Sequence, residues 1–237
     1  MSNLKDKVVY ITGGSKGIGF GIAKVILNQK MKVAISSRNL VAAQKAAEKL
    51  SKDPSAILAV KSDVTSTASE AAAIKSIIDH FGKLDVLVAN AGIGHFAPIE
   101  SLTENDWNET IDTNLTGVFN SVKASLEALK KSKGYIITMA SLAGANFFEN
   151  GAAYNASKFG LVGFTQAIML DLRKYGIKVT TIMPGSVATE FADHKVSDAD
   201  AWKIQPEDIG QIVLDLLNIN PRTLPSKIEV RPSKPAK

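Results

Sequence analysis

Short runs rich in valine and isoleucine alternate with helix-patterned segments along the whole chain. The strand-like runs are Lys7–Thr12, Lys32–Ser37, Ala56–Lys61, Leu84–Ala89, Tyr135–Ala140, Lys178–Met183 and Ile228–Val230. The segments with helical spacing are Gly17–Gln29, Leu40–Leu50, Ala68–Phe81, Glu104–Lys131, Ala153–Tyr175 and Glu207–Leu217. Strict alternation of this kind is typical of a parallel sheet joined by right-handed crossovers. The order therefore predicts a single α/β domain, a doubly wound parallel sheet of about seven strands with helices on both faces.

Composition excludes several classes of function. Of 237 residues, 45% are hydrophobic and 22% charged, as in ordinary globular proteins. The absence of cysteine excludes disulfides and thiolate metal sites and favours the cytoplasm. No apolar run has the length of a membrane span, and the histidines lack metal-ligand spacing, so no membrane and no metal partner are predicted. The net charge of +5 is spread along the chain, which argues against a nucleic-acid partner.

A glycine-rich turn, Thr12–Gly19, joins the first strand to the first helix. Its spacing is Gly-x-x-x-Gly-x-Gly, read from Gly13 to Gly19. Glycines let the backbone turn sharply, and the helix N-terminus that follows offers free N–H groups to a pyrophosphate. Any tight strand-to-helix turn also favours glycine, but the position at the first such junction indicates a Rossmann-like dinucleotide site.

The end of the second strand bears on the choice of dinucleotide. An NAD site usually has a carboxylate here for the ribose 2′-hydroxyl. The sequence is instead Ser36-Ser37-Arg38-Asn39, with no acidic residue. Arg38 and Lys16 are both cations that can pair with a 2′-phosphate. The alternative is that both are ordinary surface charges. The pattern predicts NADP(H) in preference to NAD(H).

Tyr154 and Lys158 are four residues apart in a predicted helix and so share one face. Ser141 follows the fifth strand, thirteen residues before Tyr154. A nearby ammonium favours the phenolate, so lysine is expected to lower the pKa of the tyrosine toward the working range. A Tyr-x-x-x-Lys pair by itself is common on helix surfaces.

The full set of motifs is more specific than any one of them. In order, it comprises Thr12–Gly19, Asp63, Asn90-Ala91-Gly92, Asn114, Ser141, Tyr154-Asn-Ala-Ser-Lys158 and Pro184-Gly185. This set resembles the short-chain dehydrogenase/reductase family over nearly the whole chain. The resemblance implies a cytoplasmic NADP(H)-dependent oxidoreductase that interconverts a ketone or aldehyde with an alcohol.

The resemblance also implies catalytic roles. Tyr154 would be the general acid in reduction, and Lys158 would lower its pKa and hold the nicotinamide ribose. Ser141 would orient the carbonyl, and Asn114 would hold a water that relays protons to Lys158. A structural alternative for Asn114 is a helix-interior amide bonded to backbone.

The implied cofactor-binding residues lie in loops after the strands. They are Gly13, Ser15, Lys16, Gly17, Ile18, Gly19, Arg38, Asp63, Val64, Asn90, Ala91, Gly92, Tyr154, Lys158, Pro184, Gly185, Val187 and Thr189. Within this set, Asp63 would bind the adenine amino group, while Val187 and Thr189 would hold the nicotinamide carboxamide. As alternatives, Asp63 and Asn90 could cap loops, and Pro184-Gly185 could form a plain turn.

The substrate and the assembly are less constrained. Candidate substrate-lining residues, mostly apolar, are Ile93, His95, Phe96, Phe147, Phe148, Val187, Phe191 and Trp202. The polar stretch 190–205 is expected to be a flexible lid or a disordered loop, and the tail 232–237 to fray. Helices 104–131 and 153–175 resemble those of the family's dimer contact, which implies a homodimer or homotetramer.

Two other functions stay open. A 3-oxoacyl-thioester (acyl-carrier-protein) reductase shares these motifs, but the ending Leu224–Pro232 lacks the glycine-rich terminus typical of those enzymes. A cofactor-sensing binding protein without catalysis would be expected to lack Tyr154 or Lys158, and both are present.

Overall fold

The computed structural model describes residues 4–234, so the last part of the predicted frayed tail lies outside the described residues. The strands are β1 (Val8–Ile11), β2 (Lys32–Ser37), β3 (Ile57–Lys61), β4 (Val86–Ala89), β5 (Tyr135–Met139), β6 (Lys178–Pro184) and β7 (Lys227–Val230). The helices are α1 (Gly17–Leu27), α2 (Leu40–Leu50), α3 (Thr67–Phe81), α4 (Glu104–Ile111), α5 (Gly117–Ser132), α6 (Ala152–Leu172) and α7 (Pro206–Asn218).

All seven strands form one parallel sheet in the order β3-β2-β1-β4-β5-β6-β7. The predicted doubly wound fold is confirmed. The strand order reverses between β1 and β4, so the crossovers before and after this point run on opposite faces. A crevice therefore opens outside the carboxyl ends of these two strands, which is where ligands bind in such sheets.

Alternation along β1 divides the hydrophobic core into two layers. Val9 and Ile11 pack with the buried face of α1 and α7. Val8 and Tyr10 point the other way, into the layer formed with α3, α5 and α6. Because both faces of the sheet are covered, the strands read as continuous apolar runs.

The prediction of one continuous helix over Glu104–Lys131 is wrong. A π-helical turn, Asp112–Thr116, separates α4 from α5, and it carries Asn114. A π turn inserts one extra residue without interrupting the apolar pattern enough to be seen in the sequence. Similarly, α6 ends at Leu172, and a 3₁₀ turn continues to Tyr175.

The stretch 190–205 contains two 3₁₀ turns, Phe191–Asp193 and Asp198–Asp200. A short parallel bridge between Val187 and Ile204 closes its base. The Asp200 carboxylate accepts hydrogen bonds from His194 and Lys203, at 2.8 and 2.6 Å. The stretch 190–205 thus has internal structure and lies over the carboxyl edge of the sheet. None of the helices within residues 4–234 combines the length and hydropathy of a membrane-spanning helix.

Candidate active site

A groove of about 740 Å³ follows the carboxyl edge of the sheet. It runs from Arg38 and Asp63 at one end to Ser141, Tyr154 and Phe191 at the other. The predicted residues that line it are Gly13, Ser15, Lys16, Gly17, Ile18, Arg38, Asp63, Val64, Asn90, Ala91, Gly92, Ser141, Tyr154, Lys158, Pro184, Gly185, Val187 and Thr189. Gly19 and Asn114, the two other predicted cofactor-binding and catalytic residues, are not part of this wall. The groove therefore brings the remaining predicted residues together.

The glycine turn has the geometry of a phosphate cradle. Gly13 has φ +64°, and a Cβ on it would lie 3.0 Å from the Ala91 Cα. Behind the turn, a Cβ on Gly19 would lie 2.6 Å from the Asn90 amide nitrogen. Helix α1 begins at Gly17 with no side-chain cap and no acidic residue in its first turn. The free N–H groups and the positive end of the helix dipole thus face a site that suits an anion.

Asn90 braces this turn from the neighbouring strand. Its side-chain amide donates to the carbonyl oxygens of Thr12 and Gly13, at 2.9 and 3.3 Å. The backbone N–H groups of Asn90 and Ala91 in turn donate to the Thr12 hydroxyl, at 2.9 and 3.0 Å. These bonds fix the cradle to the end of β4.

The end of the groove that Arg38 and Asp63 line is polar. Arg38 and Lys16 are exposed, and neither forms an ion pair with a carboxylate within residues 4–234. Asp63 accepts from the backbone and hydroxyl of Thr65, at 3.0 and 2.8 Å. The Asp63 carboxylate therefore caps its own loop, which was the alternative to adenine binding. The residue also lines the groove.

The opposite end holds the buried pair on α6. The Lys158 ammonium donates to the Met139 carbonyl oxygen at 3.0 Å and lies 5.6 Å from the centre of the Tyr154 ring. Burial lowers the pKa of Lys158 to about 8. An ammonium has three donors. Met139 is its one hydrogen-bond partner within residues 4–234, so donors remain for a ligand in the groove.

The lowering of the Tyr154 pKa by Lys158 stays a prediction, since the shift in this structure comes from burial and from Ser141. Burial raises the pKa of Tyr154, and interaction with the Ser141 hydroxyl offsets that rise only in part. Lys158 is itself desolvated, and its ammonium is directed at the Met139 carbonyl. The phenol is therefore held protonated, which suits an acid more than a base.

Asn114 is buried and points away from open solvent. Its side-chain oxygen accepts from the Ile93 N–H at 2.9 Å, and its amide donates to the Ile93 carbonyl and the Ser157 hydroxyl, at 2.9 and 3.1 Å. A Cβ on Gly92 would lie 3.2 Å from the Asn114 oxygen and 3.6 Å from the Lys158 nitrogen. The contacts match the structural alternative, in which the amide is bonded to backbone; the water relay stays a prediction.

Three half-exposed phenylalanines surround the Tyr154 ring. The ring centres of Phe96, Phe191 and Phe148 lie 5.4, 5.7 and 6.4 Å from it. Phe147, in contrast, is 82% exposed and stacks on Phe159 outside the groove. Of the predicted substrate-lining residues, the groove wall includes Ile93, His95, Val187 and Phe191 but not Phe96, Phe147, Phe148 or Trp202. Phe96 and Phe148 still lie against the Tyr154 ring, whereas the expectation for Phe147 and Trp202 is wrong.

Sequence reasoning missed part of the wall. Ser36, Ser62, Glu109, Thr113, His194 and Lys203 also line the groove. Ser36 lies near the end of β2 and Ser62 directly follows β3, and both positions at strand ends were a usable signal. His194 and Lys203 reach the groove only through the fold of the 190–205 stretch, for which no periodic signal exists.

Comparison with known proteins identifies the family. The sequence profile described as short chain dehydrogenase matches residues 7–200. This chain belongs to that family. An uncharacterized oxidoreductase of Staphylococcus saprophyticus is 32% identical over 98% of both chains. The glycine betaine reductase ATRR of Emericella nidulans is 32% identical over 90% of this chain, which spans only 17% of that protein's length.

Two solved structures show the same fold. An alcohol dehydrogenase from the archaeon Thermococcus sibiricus, complexed with 5-hydroxy-NADP, has a TM-score of 0.91 and 27% identity, and covers 98% of this chain and 99% of its own. A 3-ketoacyl-(acyl-carrier-protein) reductase from Brucella melitensis, complexed with NADH, has a TM-score of 0.89 and 26% identity, with 97% and 98% covered. The protein is an oxidoreductase of the short-chain type; one of these two neighbours is complexed with 5-hydroxy-NADP and the other with NADH.

Proposed function

We propose that this protein is an NADP(H)-dependent reductase that converts a ketone or aldehyde to an alcohol. One observation carries the proposal. A protonated phenol, Tyr154, and a buried ammonium, Lys158, face the same end of a groove whose other parts fit a dinucleotide. Such a pair is unfavourable for stability because burial costs both groups hydration, so its presence indicates a functional site.

The groove's own residues account for the proton chemistry. The Ser141 and Tyr154 hydroxyls would both donate to the carbonyl oxygen and stabilise the negative charge that develops there. Tyr154 would then give its proton to that oxygen. The Lys158 donors not engaged by Met139 would hold the ribose hydroxyls and keep positive charge beneath the phenolate that forms. A bound nicotinamide would supply the hydride.

The preference for NADP(H) is supported by charge. Arg38 and Lys16 are two exposed cations at the adenosine end, and the end of β2 lacks the carboxylate that would hold a ribose 2′-hydroxyl. One structural neighbour is complexed with an NADP derivative and the other with NADH, so the neighbours do not favour either cofactor. The proposed preference therefore rests on the local charges.

The substrate that fits best is a partly hydrophobic carbonyl compound. Phe96, Phe148 and Phe191 are 44%, 47% and 38% exposed beside the Tyr154 ring. Exposed aromatic faces of this kind gain free energy when an apolar or aromatic group covers them. A 3-oxoacyl thioester is the second candidate, favoured by the likeness to the Brucella melitensis enzyme. The cofactor-sensing role without catalysis predicts no turnover at all.

A turnover screen tests these proposals together. Purified protein with NADPH or NADH is offered aryl ketones, small aliphatic ketones, aldehydes and acetoacetyl thioesters, and loss of absorbance at the nicotinamide band is followed. We expect reduction of aryl ketones or aldehydes with NADPH. A preference for the thioesters would select the second candidate, and NADPH binding without turnover would support the sensor.

A cytoplasmic location and a homodimeric or homotetrameric assembly stay predictions. The outer faces of α5 and α6 carry exposed Phe119 and Phe159, which is compatible with a contact between subunits. Light scattering of the purified protein would contradict the assembly if it gave a monomer's mass.

A further inference from the structure

A buried carboxylate lies beneath the adenosine end of the groove. Glu70, in the first turn of α3, is fully buried, which is rare for a glutamate. One of its oxygens accepts from the Tyr10 hydroxyl at 3.0 Å and from the Ser62 hydroxyl at 2.5 Å. Its second oxygen has no hydrogen-bond partner within residues 4–234. None of these contacts takes part in the proton chemistry at Tyr154.

The Tyr10 hydroxyl links Glu70 to the end of β2. It donates toward the Glu70 carboxylate at 3.0 Å and toward the Ser36 hydroxyl at 3.1 Å. Burial and the adjacent carboxylate raise the pKa of Tyr10 well above its usual value, so the phenol keeps its proton for these bonds. The hydroxyls of Ser36 and Ser62 are therefore both engaged inside the network.

The same network ties three strand ends together. The Ser36 carbonyl accepts from the Gly14 N–H in the glycine turn at 3.1 Å, and the Ser62 N–H donates to the Ser37 carbonyl at 3.0 Å. The Ser62 hydroxyl lies 3.3 Å from that of Ser69, which accepts from the Asp63 N–H at 2.9 Å. Glu70 thus stands at the centre of bonds that reach the phosphate cradle, the end of β2 and the Asp63 loop.

Ser36 and Ser62 also form part of the groove wall. Their hydroxyls are engaged by Tyr10 and Glu70, which holds this part of the wall in place. Arg38 and Lys16 are exposed cations of the same wall, and they suit a phosphate. The wall at this end therefore combines a fixed polar floor with a cationic rim.

We propose that Glu70 is a positioning residue for the adenosine half of the dinucleotide, acting through Tyr10, Ser36 and Ser62. It fixes the two serine hydroxyls at the strand ends and, through Ser62 and Ser69, the Asp63 loop beside the groove. This inference rests on the proposed function, in which the groove binds a dinucleotide. A purely structural role would lower thermal stability without favouring one half of the ligand over the other.

The test compares two network variants with a matched control. Tyr10→Phe removes one hydroxyl, and Glu70→Gln removes the charge while keeping the shape. Tyr135→Phe is the control, since Tyr135 is also buried in a central strand and its hydroxyl bonds Thr180 at 2.7 Å, but it lies at the amino end of β5. Calorimetry with ADP, which lacks the nicotinamide half, gives a Kd for the adenosine end. The fluorescence of bound NADPH reports the nicotinamide end.

We expect the Kd of ADP to rise about fivefold to tenfold in Tyr10→Phe and Glu70→Gln, as for the loss of one buried hydrogen bond. The emission of NADPH at saturation should stay at the wild-type wavelength. Tyr135→Phe should lower the Tm and leave the Kd of ADP within twofold of wild type.

Two results would overturn the inference. One is an ADP Kd within twofold of wild type in folded Tyr10→Phe; this variant alone decides if Glu70→Gln does not fold. The other is an equal rise in Tyr135→Phe, which would mean a general loss of structure. A wild-type protein that binds neither NADPH nor ADP contradicts the proposed function itself, and this inference with it.

Discussion

The two ends of the groove are built on different physical principles. At the end proposed to hold the adenosine, Ser36 and Ser62 are nearly fully buried and their hydroxyls are fixed by the Tyr10–Glu70 network. At the other end, Phe96, Phe148 and Phe191 leave much of their ring surface exposed beside Tyr154. One end presents a polar surface that is complete before any ligand arrives. The other presents apolar surface that a ligand would have to cover.

This difference separates the part of the groove proposed for the dinucleotide, which relatives share, from the part proposed for the substrate, which is specific to each protein. A dinucleotide is a constant ligand, so preformed hydrogen bonds at its end are worth their cost in burial. Substrates differ among relatives, and half-exposed aromatic rings can adapt to many shapes. The Lys158–Tyr154 pair lies at the aromatic end, beside these rings. Experiments that perturb one end and spare the other should therefore have separable effects.

The largest expected effect is on the pair itself. Tyr154→Phe removes the acid and should lower kcat by about 10² to 10⁴-fold, the usual contribution of general acid catalysis. The Kd of NADPH should change little because the phenyl ring is retained. Stopped-flow turnover and fluorescence titration measure the two quantities. Tyr175→Phe, at an exposed site beyond α6, is the matched control, and a Tyr154→Phe enzyme with most of its kcat would refute the assignment.

A second experiment changes the rim at the adenosine end. Arg38→Asp replaces the cation with a carboxylate and should reduce the NADPH to NADH ratio of kcat/KM by about 10 to 100-fold, as for loss of a charge-assisted bond plus repulsion. Steady-state kinetics with each cofactor measures the ratio. Arg222→Asp, at an exposed position that is not part of the groove wall, should leave the ratio unchanged. A constant ratio in Arg38→Asp would mean that the 2′-phosphate is held elsewhere.

The aromatic end is tested by truncation. Phe96→Ala removes a ring that packs on both Tyr154 and Phe191. We expect the KM for an aryl ketone to rise about tenfold, and that for acetone to change by less than twofold, because only the larger substrate reaches the ring. The KM for NADPH should not change. Phe147→Ala is the control, and equal effects in both variants would show that the wall is not specific to the substrate.

The smallest effect concerns pH. The pKa of Lys158 is lowered to about 8, so the side chain is an ammonium below this pH and neutral above it. Since the rise in the pKa of Tyr154 keeps the phenol protonated, a loss of activity above pH 8 would report the lysine. The kcat/KM for reduction should fall about fourfold between pH 7 and pH 8.5. A profile that stays flat to pH 9 would show that the ammonium is not required.

Burial of Lys158 has a related effect on stability. The unfolded chain holds this proton up to about pH 10, whereas the folded protein releases it near pH 8. The unfolded state therefore binds more protons in that window, and this group's contribution makes the protein more stable as pH rises through it. Lys158→Met should remove that slope in a urea titration series across pH 8 to 10. An unchanged slope would mean that other groups cause it.

Much of the fold was readable because it depends on local patterns. The alternation of apolar runs with helical periodicity predicted the parallel sheet, and the glycine spacing placed the phosphate cradle. The π turn at Asp112–Thr116 was missed because one inserted residue leaves helical periodicity almost intact. Phe147 and Trp202 were among the apolar candidates for the substrate site, but neither forms part of the groove wall, which residue type alone could not reveal.

The sequence by itself determined the order of strands and helices, the glycine turn and the spacing of Tyr154 and Lys158 on one helical face. Tertiary structure alone decided the electrostatics of that pair. Burial, which no spacing reveals, lowers the pKa of Lys158 and raises that of Tyr154. Tertiary structure also placed Glu70 under this end of the groove, because α3 packs against β1, whose Tyr10 hydroxyl bonds Glu70 from sixty residues away. Desolvation and long-range contacts are properties of the packed molecule, whereas periodicity and turn chemistry are properties of neighbouring residues.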